Sequence, residues 1–176
     1  IVGNLTAAIP QAAEAGIPNL ITFFGNRRGR SDADAIKHCV AGLKRIAPAA
    51  EDHGVTICVE LLNSKVNHPD YMGDHSAWGV SLVKKLASPH FKLLYDIYHM
   101  QIMEGDLAKT IERTLPRIAH MQVADPPARH EPGTGEINYP FLFDWIDRLG
   151  YQGWIGCEYN PKAGTVEGLG WAKPYL

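Results

Sequence analysis

Three things are scarce or missing in this 176-residue sequence, and each absence excludes something. No apolar run approaches the roughly 18 residues a membrane helix needs, and no charged-then-apolar leader opens the chain, so a membrane partner is not expected. No block of basic residues occurs either. Lys and Arg total 17 against 19 Asp and Glu, a net charge of -2, which argues against nucleic acid or an anionic lipid surface and favours a small soluble ligand. The three cysteines, Cys39, Cys58 and Cys157, are an odd number without CxxC spacing, and two lie inside strand-like runs. They read as reduced core thiols of a cytoplasmic protein, and neither strand thiol has a neighbouring His or Lys to stabilise a thiolate.

Helix and strand patterns alternate along the rest of the chain without a linker or low-complexity tract, so residues 1–176 are expected to form a single domain. An Ala-rich helix from Leu5 to Ala15 stops at Gly16-Ile17-Pro18, and NLITFFG follows as a strand. A second helix starts at Ser31 or Asp32, with Pro48 interrupting it, and leads to the strand Val55 to Leu62. Helices over Ser76–Leu86, Asp106–Leu115 and Tyr139–Leu149 then alternate with strands over Phe91–Ile97, Ile118–Ala124 and Trp154–Tyr159. Such alternation implies about five parallel strands covered by helices. Helix-to-strand connections are brief, whereas Asn63–His75, Tyr98–Gly105 and Asp125–Asn138 form long strand-to-helix loops, the end where α/β folds build their sites.

Four strands carry one polar, metal-capable residue at that same end: Glu60, Asp96, Gln122 and Glu158. Burying three carboxylates among Ile, Val, Leu and Cys costs several kcal/mol each, on the order of the penalty for an unpaired buried charge, unless a cation holds them. Alternation puts Cys58 and Leu62 on the face of Glu60, Leu94 on that of Asp96, His120 and Ala124 on that of Gln122, and Gly156 on that of Glu158. If those faces line a barrel, the four side chains meet at its mouth and His120 lies below Gln122, as a hydrogen-bonded core residue or as support for the site. Three carboxylates and an amide oxygen are hard donors that suit Mg²⁺ or Mn²⁺ better than Zn²⁺ or copper. The bland alternative is that each caps its strand or pairs with a nearby Arg or Lys; four in register make that the weaker reading.

The blocks CVELLN, LLYDIYHMQIMEGDL, HMQVAD, RHEPGTGEINY and GWIGCEYNP closely resemble the hydroxypyruvate isomerases of the xylose-isomerase-like TIM-barrel superfamily, over nearly the whole chain from Ile21 onward. A related ketose 3-epimerase would usually show His in place of Gln122. The resemblance implies metal binding by Glu60, Asp96, Gln122 and Glu158, with Glu60 and Glu158 also the proton-transfer pair. The implied reaction interconverts hydroxypyruvate and 2-hydroxy-3-oxopropanoate (tartronate semialdehyde) through an enediolate, the cation acting as Lewis acid and each proton transfer contributing roughly 10²- to 10⁴-fold. His99, three residues after Asp96, is expected to hydrogen-bond a substrate oxygen, and Arg129 to meet the substrate carboxylate, against the plainer reading of both as loop residues. His130 and Glu131 could equally lie on the surface. Tyr71, Trp78 and Trp154 read as core or pocket-wall aromatics, and Arg27, Arg28 and Arg30 as a solvated loop. Gly133-Thr134-Gly135 lacks the spacing and the Lys of a phosphate loop.

A closed (β/α)₈ barrel needs eight strands, and only five can be counted, so the chain is expected to be the C-terminal part of a barrel. Its first and last strands would then be open edges, which a second copy could cover in a homo-oligomer. Two further readings stay open: a ketose 3-epimerase or other sugar isomerase on the same scaffold, and a non-catalytic remnant.

Overall fold

The computed structural model describes residues 1–175. Five parallel strands, β1 (Asn19–Thr22), β2 (Thr56–Glu60), β3 (Phe91–Asp96), β4 (Ile118–Val123) and β5 (Trp154–Cys157), lie side by side in chain order. This is the curved, open part of a barrel, as the strand count predicts. Helices α1 (Val2–Glu14), α2 (Asp32–Leu43), α3 (Ala47–His53), α4 (Ser76–Leu86), α5 (Ile97–Met103), α6 (Leu107–Thr114), α7 (Tyr139–Arg148) and the short α8 (Thr165–Gly168) accompany them. Among the described residues no helix is long and apolar enough to cross a membrane.

Local chemistry sets the boundaries. Ser31 caps α2 by accepting from the Asp34 backbone N–H, and Asn138 caps α7 from Phe141 N–H. Pro48 marks the first turn of α3, so the long helix read from the sequence is two helices, divided ahead of the proline. Gly54 closes α3 in the left-handed conformation, at φ 66°. The core lies between sheet and helices: Ile57, Val59, Leu93, Tyr95, Met121 and Val123 on the strands' outer face meet Ile9, Ile46, Leu82 and Ile146, all nearly inaccessible to water.

Three expectations need correction. Tyr98–Gly105 is no open loop: Ile97–Met103 is helix α5, started by Asp96 at the very end of β3, whose Oδ1 accepts the His99 N–H at 3.0 Å. Its seven residues are buried at five positions, so no amphipathic period betrays it. Cys157 and Trp154 are not core residues; β5 is an edge strand, leaving Cys157 exposed and Trp154 72 % exposed. Tyr71 and Trp78 are buried as expected, and Arg27 pairs with Asp32 in an exposed loop.

The loop 125–138 is folded around one carboxylate. Asp125, 1 % exposed, accepts from Gly133 N–H and Gly135 N–H at 2.9 Å each through Oδ2 and from Ile137 N–H at 3.1 Å through Oδ1. Gly135 is required by this wrap, since a Cβ there would overlap the Pro126 carbonyl oxygen and stand 2.7 Å from Asp125 Oδ1. Gly135→Ala is therefore expected to cost about 2 to 3 kcal/mol, the scale of an overpacked site. Denaturant unfolding and limited proteolysis within residues 126–137 check this; unchanged stability and cleavage would show that the wrap is loose.

Candidate active site at the strand ends

Register carries the polar residues to one place. Glu60 ends β2 opposite Leu94, Asp96 ends β3 opposite Gln122, and Gln122 stands opposite Gly156 of β5, two residues before Glu158. Glu158 lies just beyond β5 and is held to β4 by its N–H, which donates to the Val123 carbonyl at 3.1 Å. Gly156 leaves room for its neighbours, for a Cβ would come 3.0 Å from His120 Nε2 and 3.7 Å from Gln122 Cγ. His120 thus sits half-buried beneath Gln122, on the face that strand alternation predicts. Tyr71 braces the β2 end, donating its hydroxyl to the Glu60 carbonyl at 2.9 Å while accepting from Phe24 N–H at 3.0 Å.

The four side chains do converge. The Gln122 amide oxygen stands 3.2 Å from Glu60 Oε1 and 3.3 Å from Glu158 Oε2. Three acceptors so placed repel one another unless the amide turns its nitrogen inward, which would make both contacts hydrogen bonds, or a cation sits among them. The spacing admits both: 3.2 and 3.3 Å suit hydrogen bonds from the turned amide, and adjacent oxygens around a six-coordinate ion at about 2.1 Å lie roughly 3 Å apart. The residues present therefore fit a hard divalent cation. Glu60 and Asp96 are 5 % and 1 % exposed, whereas the Glu158 side chain is 48 % exposed on the sheet's edge.

Electrostatics agree with that fit. Burial, reinforced by Glu158 and opposed by Arg129, pushes the Glu60 carboxyl up to about 7. Burial also raises Asp96 well above the usual carboxylate range, against the lowering effects of the His99 N–H and Arg129. Both acids resist ionising where nothing positive accompanies them.

His99 requires a closer look, because Glu60, Asp96 and His99 each offer a potential ligand atom within 4.8 Å of the others. Its Nδ1 accepts the Asn63 backbone N–H at 3.1 Å, and a backbone N–H can only donate. The ring is therefore neutral with its proton on Nε2, in keeping with a pKa lowered to about 3 by burial, Arg129 and His68. A protonated Nε2 has no lone pair for a metal, so proximity alone misassigns His99 as a ligand. Instead Nε2–H lies 3.7 Å from Asp96 Oδ2 and 3.4 Å from Arg129 Nη2. The latter is an approach of two donors, and Asp96 Oδ2 stands 3.7 Å from each.

Arg129 is not a solvated loop arginine. It donates to Glu158 Oε2 at 2.9 Å, stands 3.7 Å from Asp96 Oδ2, and lies 4.8 Å over the Tyr98 ring. Its backbone is in the left-handed region, φ 57°, and its carbonyl accepts the Asn160 N–H at 2.9 Å. Glu131, for which the sequence leaves a surface position open, is 7 % exposed and accepts the Lys162 N–H through both oxygens at 3.0 and 3.2 Å; its part is to fasten the loop after β5. His130 joins the same seam through Asn160 O at 2.6 Å. A cavity of about 240 Å³ opens beside Arg129, Glu158, Tyr159 and Asn160. The more enclosed apolar cavity of about 400 Å³ lined by Val2, Phe24, Cys39, Leu43 and Met72 lies between α1 and α2, away from these groups. Sequence reading missed Asn63, Tyr98 and Asn160; all three lie inside blocks already singled out, but nothing in their spacing marks them.

A cation at this site must displace the proton of Glu60, so its affinity depends on pH. Below about 7 the carboxyl is protonated and competes; above it the competition ends. For the metal-free fold the sign is opposite, since a raised carboxyl favours the folded state at low pH and that contribution fades as pH climbs from 4.5 through about 7. Mn²⁺ affinity measured by calorimetry is expected to rise roughly tenfold per pH unit between about 5 and 7 and then to level. A flat profile would remove Glu60 from the site.

Comparison with known proteins places the fold. The xylose isomerase-like TIM barrel model matches residues 2–175. The chain is 44 % identical over 149 residues to the 2-oxo-tetronate isomerase of Cupriavidus necator, covering 83 % of this chain and 57 % of that protein. It is 46 % identical over 118 residues to the hydroxypyruvate isomerase of Escherichia coli, 65 % of this chain and 46 % of the relative. Among solved structures, an AP endonuclease, family 2, from Brucella melitensis superposes with a TM-score of 0.85 at 35 % identity, over 97 % of this chain and 69 % of that one. The chain thus spans about half the length of these two curated relatives. It belongs to the xylose isomerase-like TIM-barrel family.

Proposed function

We propose that this chain carries the cation site and proton-transfer groups of an isomerase acting on a short keto or hydroxy acid, hydroxypyruvate being the favoured substrate. One observation carries the reading: the Gln122 amide stands 3.2 Å from a Glu60 oxygen and 3.3 Å from a Glu158 oxygen, beside Asp96 and the Arg129 guanidinium, which lies 3.7 Å from Asp96 and 2.9 Å from Glu158. Glu60, Asp96, Gln122 and Glu158 would hold Mg²⁺ or Mn²⁺ through oxygen alone. Bound there, such an ion supplies positive charge that stabilises developing negative charge on substrate oxygens.

The remaining work falls to the side chains. One glutamate of the Glu60–Glu158 pair takes a proton from the hydroxyl-bearing C3 of hydroxypyruvate, giving an enediolate. The other returns a proton to C2, while the hydroxyl proton passes from the C3 oxygen to the C2 oxygen, leaving an aldehyde at C3. Glu60 and Glu158 suit this duty because both stand against the Gln122 amide, at 3.2 and 3.3 Å. His99 would donate from Nε2 to the substrate oxygen that gains charge, and Arg129 would orient the carboxylate, turning on the Tyr98 ring that supports it. The partner is then a small hydroxy or keto acid. The similarity to proteins named 2-oxo-tetronate isomerases, at 44 % and 39 % identity, favours a four-carbon acid as the second reading.

Turnover of hydroxypyruvate and of 2-oxo-tetronate, measured with Mg²⁺ or Mn²⁺, distinguishes the two substrates by kcat/KM. Glu60→Gln and Glu158→Gln are each expected to lower kcat by about 10²- to 10⁴-fold. Unchanged turnover in both variants would overturn the acid-base assignment.

A further inference from the structure

Asn63 begins the loop after β2, and every polar atom of its side chain has a partner. Its Oδ1 accepts the backbone N–H groups of Val66 at 3.1 Å and Asn67 at 2.8 Å. Because backbone N–H groups only donate, the orientation of the amide is fixed, and its nitrogen must be the atom that faces His99. That nitrogen lies 2.6 Å from His99 Nδ1 and also donates to Asn67 Oδ1 at 2.8 Å. Asn67 Oδ1 in turn accepts the Tyr98 hydroxyl at 3.1 Å, so the residue beneath Arg129 belongs to the same network. Two N–H groups of one residue, side chain and backbone, thus converge on His99 Nδ1.

We propose that Asn63 is a positioning residue that fixes the tautomer of His99, holding the proton on Nε2 and so deciding that this ring is a donor to substrate and not a ligand to the metal. The donor role rests on the proposed function; the tautomer does not. The consequence for the metal is specific. His99 stands close enough to Glu60 and Asp96 to share an ion with them, and a proton on Nε2 blocks ligation through that nitrogen. With that nitrogen bare, the site would gain an imidazole and become a mixed nitrogen and oxygen site of the kind that takes Zn²⁺. Asn63 therefore acts as a determinant of metal choice without touching the metal. This is the arrangement seen around metal-bound histidines, in which a partner on one ring nitrogen decides the state of the other, used here in the opposite sense.

The test begins on the unaltered, metal-free chain. Long-range ¹H–¹⁵N correlation of labelled histidine at pH 7.5 is expected to show His99 as the neutral Nε2–H form; the Nδ1–H form would overturn the proposal outright. In Asn63→Asp a carboxylate oxygen faces Nδ1 and accepts from it, so the Nδ1–H form is expected to grow at the expense of the other. The ratio of Zn²⁺ to Mn²⁺ affinity is expected to rise at least tenfold, and kcat for hydroxypyruvate to fall about a hundredfold with KM changing less. Asn63→Ala keeps the backbone N–H and is expected to fall between the two on each measure. An Asn63→Asp protein that retains the Nε2–H form and the parent metal preference would refute the role of the amide. If the tautomer and metal results hold while the unaltered chain turns over neither acid, the proposed function fails and the assignment of Asn63 stands.

Discussion

The cost of burying Glu60 and Asp96 governs the rest of this structure. Both carboxylates close apolar strands and are almost wholly removed from water, and the long 3.7 Å pairing of Arg129 with Asp96 does not offset that burial. Left alone they take up protons; given a divalent ion, as proposed, they would become its ligands. Parallel register then supplies what two residues cannot, because β4 and β5 bring Gln122 and Glu158 to the same level and add an amide and a third carboxylate.

Around that charge the loops are built from fixed acceptors and donors. Asp125 gathers three backbone N–H groups and gives residues 126–137 a definite shape, Glu131 fastens the loop after β5, and Asn160 holds the carbonyl of Arg129. The result is a long loop that presents a guanidinium at a set height over Tyr98. On the other side, α5 begins at Asp96 itself, so one residue both ends a strand in the site and starts the helix that carries Tyr98 and His99.

Much of this was legible in the sequence. Continuous apolar strands, short returns and long forward loops specified the parallel sheet and the end at which polar residues collect, and strand alternation alone placed His120 under Gln122. What escaped reading depends on contacts between residues distant in sequence. Helix α5 is buried nearly all round and shows no period; Trp154 and Cys157 look like core until β5 is known to be an edge; Glu131 looks like surface until the Lys162 N–H is seen against it. The tautomer of His99 is set by Asn63, 36 residues away, and no spacing rule links the two.

The burial of Glu60 gives the site a dry side. A proton accepted by this inner carboxyl is sheltered by the sheet. In the proposed reaction, isotope carried by the substrate would then survive transfer through Glu60. The label retained in forward and in reverse turnover would identify which proton that carboxylate carries.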